Sequence, residues 1–282
     1  MAEHVVDGLP GFSARPSRTP QEALIERATR VLSNDDRVLG VWLAGSFATG
    51  THDRFSDVDL WVVVNQNDVA GFCTDWPTIS DEIAPTVLRQ QVGDRPIFNQ
   101  VTASWLRFDV SIGTPANVSD RTTSTVKALY DPQGLSAGLG QPRPPLRPDP
   151  QRIESLGREF LRVLGLLPVV VGRGEYALGV SGATLLREML IQLMLQDVAV
   201  ENRGGAMHLN PLLPPDRQRM LADLPAMAAN HESVLASNVA CAAAFLPLAR
   251  ELHERCGLRW PQELEDAARR HLATELAVDL PV

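Results

Sequence analysis

Two short runs early in the chain, 38–44 (VLGVWLA) and 60–64 (LWVVV), are apolar and β-branched enough to be buried strands. Ahead of them, Thr19-Pro20-Gln21-Glu22 has the composition of a helix start, with Thr as N-cap, Pro at N1 and Glu closing a capping box. Ala23, Leu24, Ala28, Val31 and Leu32 lay an apolar stripe along that helix, which ends near Ser33-Asn34-Asp35. After the two strands, 68–91 reads as a loop and a helix, with Trp76-Pro77 as a turn and 81–88 helical. Stretches 97–104 and 106–112 read as further strand, and 125–130 as a last short strand or helix end.

The pattern changes past 131–150 (DPQGLSAGLGQPRPPLRPDP), whose six prolines rule out a core helix or a central strand. Beyond it, Ile153, Leu156, Phe160, Leu164 and Leu167 follow helical spacing, and Arg173-Gly174-Glu175-Tyr176 opens a second helix carrying Leu185, Leu186, Met189, Leu190 and Leu193. Three more helical segments follow at about 215–224, 230–256 and 260–276. The expected fold is α+β: an irregular arm at 1–18, a mixed sheet with flanking helices over 19–135, a proline-rich linker at 136–150, and an all-α bundle over 151–282.

Composition narrows the setting. With 44% hydrophobic and 21% charged residues, the chain has the make-up of an ordinary globular protein. No uninterrupted apolar run reaches membrane-spanning length, and the N-terminus lacks a secretory pattern, so a cytoplasmic protein without a membrane role is expected. Cys73, Cys241 and Cys256 are scattered and read as reduced thiols; the six histidines show no zinc spacing. His52 reads as an exposed loop residue. The formal charge of −8, without a basic run, argues against a nucleic-acid partner and suits a small, cationic one.

The chemistry concentrates in 45–59, GSFATGTHDRFSDVD. Asp57 and Asp59 stand two apart at the start of the second strand, so both carboxylates are expected on one face, where their repulsion calls for a divalent cation. Hard oxygen donors at that spacing suit Mg²⁺. Gly45-Ser46, between a strand and a helix, offers free backbone N–H groups, a close backbone approach and a hydroxyl to a phosphate. Phosphate cradle and metal carboxylates together point to a nucleoside triphosphate with Mg²⁺. Neither GxxxxGK[ST] nor GxGxxG is present at this site. Arg54 and Lys127 are cations that phosphates would attract, although each reads more simply as solvated surface. Trp42, Trp61 and Trp105 lie in or beside strands and read as core; Arg187 and Glu188 read as an intrahelical charge face.

A GS turn followed about ten residues later by DxD on a strand resembles the nucleotidyltransferase superfamily that includes DNA polymerase β and antibiotic-modifying nucleotidyltransferases. With the helical half, the chain looks most like two-domain lincosamide nucleotidyltransferases, on GSFATG…SDVD, ALYDPQGL at 128–135, RGEYA at 173–177 and ELHERCGL at 251–258. Aminoglycoside adenylyltransferases are a close second resemblance. The resemblance implies transfer of a nucleoside monophosphate, usually AMP from ATP, to a hydroxyl of a small antibiotic, with release of pyrophosphate. It makes 19–135 the nucleotidyltransferase domain, with Asp57 and Asp59 as Mg²⁺ ligands and Gly45, Ser46 and Arg54 at the phosphates. Asp109, in WLRFDVSI, falls where the family places a third carboxylate serving as ligand or general base, although lincosamide relatives carry the longer Glu there. Glu175 and Tyr176 are candidates to line the acceptor cleft, and a homodimer fits the helical half. Two other readings differ in acceptor or in activity: a nucleotidyltransferase that modifies a toxin protein, and a nucleotide-binding module without catalysis.

Overall fold

The computed structural model describes residues 18–201 and 209–280. The expected arm at 1–18 falls, apart from Arg18, outside the described residues. The chain divides into two compact units, Met1–Arg143 and Pro144–Val282.

The first unit begins with α1 (Pro20–Ser33), whose capping box forms as the sequence predicts: the Glu22 N–H donates to Thr19 Oγ1 at 3.2 Å, and the Thr19 N–H to Glu22 Oε2 at 2.7 Å. Then come β1 (Val38–Leu43), the single-turn α2 (Gly45–Thr49), β2 (Val58–Val64), α3 (Val69–Ile83), β3 (Thr86–Gln91), β4 (Ile97–Thr102), β5 (Arg107–Gly113) and β6 (Lys127–Tyr130). The six strands lie in the order β3-β4-β5-β2-β1-β6. Only the central β2–β5 pair is parallel; the other four pairings are antiparallel, which makes the sheet mixed.

Strand alternation sorts the side chains. Val58, Leu60, Val62 and Val64 of β2, with Phe108, Val110 and Ile112 of β5, face a core built with Leu24, Ala28 and Leu32 of α1 and Phe72, Trp76 and Ile83 of α3. Trp61 and Val63 point the other way and pack with Trp42, Val118 and Val126. Asp59 lies between Val58 and Leu60, and Asp109 between Phe108 and Val110, so both carboxylates belong to this second face, opposite α1 and α3.

Two expectations for the first unit fail. Trp76-Pro77 is no turn, because Pro77 sits inside α3. Burying Phe72 and Trp76 against the sheet outweighs the hydrogen bond that a proline removes. The expected helix at 81–88 ends at Ile83, and Thr86–Gln91 forms an edge strand paired antiparallel with β4. The proline-rich stretch also begins later than its composition implies. Leu135 and Leu139 pack on the Trp42–Trp61 face, and Trp42 Nε1 donates to Ser136 Oγ at 3.1 Å.

The second unit is all helical: α4 (Pro150–Leu164), α5 (Leu167–Gly172), α6 (Tyr176–Gln196), α7 (Leu209–Leu212), α8 (Pro215–Ala222), α9 (His231–Arg255) and α10 (Gln262–Leu276). Phe160 of α4 stacks on Phe245 of α9 at 3.7 Å between centroids, in a core shared with Leu186, Leu190 and Leu193 of α6. α6 and α9 are long and apolar enough to cross a membrane, and both supply this core. Glu265 is fully buried and ties the helices: it accepts from Arg250, from Arg269 Nε at 2.7 Å and from Trp260 Nε1 at 2.6 Å.

Candidate active site

The parallel β2–β5 register sets Asp59 directly opposite Asp109, and the antiparallel β5–β4 register sets Asp109 opposite Asn99. Across three adjacent strands, then, Asn99, Asp109 and Asp59 stand abreast on one face. Asn99 Nδ2 donates to Asp109 Oδ2 at 2.9 Å, which fixes that carboxylate's rotamer. Asp57 lies one residue ahead of β2 rather than within it, and Arg107 Nη1 approaches its Oδ2 at 3.8 Å.

The strand–turn–helix places Gly45 against this row. The Ala44 N–H donates to the Asp59 carbonyl at 2.8 Å, and Gly45 follows at φ +57°, a left-handed conformation that favours glycine. A Cβ on Gly45 would lie 2.0 Å from Asp59 Oδ2. The absence of a side chain there makes room for the Asp59 carboxylate beside the turn. Ser46 follows on α2.

The electrostatics follow from this crowding. Burial, then the charge of Asp57, holds the Asp59 carboxyl above the usual range, with Arg121 and Arg107 opposing. Burial pushes Asp109 up to about 6, reinforced by Asp59 and Asp57 and opposed by the Gln100 backbone and Arg107. A carboxyl near 6 can accept a proton at neutral pH and is more basic than an ordinary aspartate.

Asp57, Asp59 and Asp109 are thus neighbours at the central strands, with Gly45 in contact. Arg54 is exposed and lies with its guanidinium over the Phe55 ring, 4.3 Å from the centroid. Lys127 is exposed on β6, and His52 stacks on Phe47. In the helical unit, Glu175 caps α6 and Tyr176 meets His231 edge-on. Three participants escaped the reading of the sequence. Arg107 had a signal, standing two before Asp109 and so on the same face of β5; Asn99 and Arg121 had none, since strand register and loop path brought them in. Trp42 and Trp61 are buried as expected, but Trp105 is exposed.

Asp57, Asp59 and Asp109 are hard oxygen donors, and burial with one another's charge raises the proton affinity of Asp59 and Asp109, a condition that a bound divalent cation would relieve. Among the described residues, no three His, Cys, Asp or Glu side chains are already gathered as they would be around an ion. The fit lies in donor type and register.

Residues 25–93 match the family model of the nucleotidyltransferase domain, a segment that holds Gly45, Ser46, Asp57 and Asp59 and stops short of Asp109. A solved aminoglycoside 6-adenyltransferase from Bacillus subtilis aligns over 90% of this chain and 97% of its own, at 14% identity and a TM-score of 0.42. No curated protein matches the chain.

Proposed function

With a nucleotidyltransferase domain at 25–93 as premise, we propose that the protein transfers a nucleoside monophosphate, AMP from ATP in the first instance, to a hydroxyl of a small antibiotic-like molecule. The observation that carries the reading is the row of Asp59 and Asp109 in parallel register, with Gly45 pressed against the Asp59 carboxylate.

In this reading Asp57 and Asp59 would hold Mg²⁺, and Asp109 serves as the base. When bound, the ion neutralises charge on the triphosphate and on the departing pyrophosphate. Gly45 and Ser46 hold the β- and γ-phosphates by backbone N–H and hydroxyl, and Arg54 adds a positive charge beside them. Asp109 takes the proton of the acceptor hydroxyl as its oxygen attacks the α-phosphorus. Asn99 occupies one oxygen of that carboxylate and leaves the other to the acceptor. A lincosamide-type acceptor is the first choice and an aminoglycoside the second. The −8 charge supports a cationic acceptor of either class.

The test is pyrophosphate release with Mg²⁺, each of the four nucleoside triphosphates, and a panel of lincosamides and aminoglycosides, with mass spectrometry of the acceptor. Added nucleoside monophosphate on one acceptor, lost in Asp59→Asn, supports the reading. Silence across the panel with ATP still bound removes the antibiotic acceptor; absence of nucleotide binding removes the activity.

A further inference from the structure

Trp105 is the most unusual residue of the first unit. It is 75% exposed and sits at φ +65°, a left-handed conformation that a bulky side chain rarely takes. The β4–β5 turn holds it there: the Trp105 N–H donates to the Thr102 carbonyl at 2.9 Å, and the Leu106 N–H to Thr102 Oγ1 at 3.0 Å. A strained conformation imposed by the surrounding turn, with the side chain left in water, is a pattern that clusters at functional sites.

A second exposed aromatic stands in the turn ahead of the neighbouring strand. Val58 pairs with Phe108, so Phe55 and Trp105 each lie three residues ahead of that register pair and four ahead of a site carboxylate, Asp59 or Asp109. Phe55 is 67% exposed in a turn pinned on two sides. Its N–H donates to Asp53 Oδ1 at 2.8 Å, and Arg107 Nη2 donates to its carbonyl at 3.0 Å. From α1, Gln21 Nε2 donates to the Arg54 carbonyl at 3.0 Å. Both rings therefore project from rigid backbone at one end of the two strands that carry the site.

We propose that Trp105, assisted by Phe55, is the stacking platform for the base of the nucleoside triphosphate. The inference rests on the nucleotidyl-transfer reading and adds the donor's base site to it. Two features favour the base over the acceptor. Arg107 Nη2 holds the Phe55 carbonyl, and a guanidinium at this turn repels a cationic acceptor while attracting an anionic nucleotide. Four extended residues span no more than about 14 Å, so a nucleotide with its phosphates at the carboxylates has its base within reach of Trp105. Stacking uses the π face that every base has, so the platform serves any of the four nucleotides.

Titration calorimetry of the full chain with saturating Mg²⁺, using ATP and, separately, inorganic tripolyphosphate, tests this. Trp105→Gly removes the ring and suits φ +65°, so folding is not at risk. It should weaken ATP binding about 5- to 100-fold and leave tripolyphosphate binding unchanged. Trp105→Tyr should restore ATP binding most of the way. Wild-type affinity for ATP in Trp105→Gly overturns the proposal, above all if the acceptor KM rises instead. Equal loss of ATP and tripolyphosphate also overturns it, since the base would then contribute nothing. If the wild type binds neither ligand, the nucleotidyl-transfer reading itself fails and the platform goes with it; the two failures are distinguishable.

Discussion

Replacing Gly45 with alanine asks one methyl group to do two separable things. The first is conformational: at φ +57° an L-residue pays about 1–2 kcal/mol, partly offset by the smaller entropy of its unfolded chain. The second is local: the new Cβ would sit 2.0 Å from Asp59 Oδ2, a distance that real Cβ atoms do not keep, so the carboxylate must leave its position. Gly93 supplies the control. It has φ +56°, and a Cβ there would meet nothing within 4 Å, so Gly93→Ala carries the first effect alone. Both variants should lose roughly 1 kcal/mol in denaturant unfolding, Gly45→Ala up to about 1 kcal/mol more from a strained Asp59 rotamer. Turnover should separate them widely. A displacement near 1 Å at a reacting centre costs about 100-fold, so kcat/KM should fall by that order in Gly45→Ala and stay near wild type in Gly93→Ala. Equal turnover in two folded variants would refute the idea that Gly45 exists to make room for Asp59.

The remaining predictions concern the groups around that contact and the helical core. Asp109 binds its proton up to about pH 6 when folded and up to about 3.9 when unfolded, so its contribution to stability is complete below the lower value and lost as pH rises through the upper. Unfolding of metal-free protein from pH 4 to 7 should show that decline, flattened in Asp109→Asn. Asn99→Ala should lower kcat about 10-fold or more and leave nucleotide affinity alone; unchanged kcat would remove Asn99 from the site. Glu265→Ala should destabilise the helical unit by about 1–3 kcal/mol, because Arg250, Arg269 and Trp260 lose the carboxylate they share. Burial works against the Glu265 charge, but Arg250, Arg269 and Trp260 outweigh it and hold the carboxyl below the usual range. Its contribution is therefore present above about pH 4.3 and lost as pH falls through its lower folded value; a wild-type acid transition no sharper than that of Glu265→Ala would contradict this.

What the sequence disclosed depended on how local the cause was. The capping box of α1 and the strand–Gly-Ser–strand run are each specified within a few neighbouring residues, and they appear in place, while Asp57 falls just ahead of its strand. For Pro77 and Trp105 residue type alone points the wrong way, because their surroundings decide. A proline can ride in a helix whose aromatic face is buried, and a tryptophan can be held in water by the turn beneath it. The edge strand β3 is not legible in its own residues, because its pairing with β4 is what makes it a strand. Asn99 and Arg121 meet the carboxylates through strand register and loop path, which no local pattern in a single sequence encodes.

A tight turn cannot join parallel neighbours, so the chain leaves β2, lays down α3, β3 and β4, and only then returns as β5. That detour insulates the chemistry from change in length. Extra residues at the β3–β4 tip around Gly93, where a built side chain meets nothing, lengthen the excursion without altering how β2 and β5 lie together. A single residue gained inside β5 would do the reverse, turning Asp109 toward α1 and α3 and bringing an apolar neighbour to Asp59. The β3–β4 tip is thus a place where a reporter or a new loop can be grafted freely, whereas the strands that carry Asp59, Asp109 and Asn99 must keep their parity.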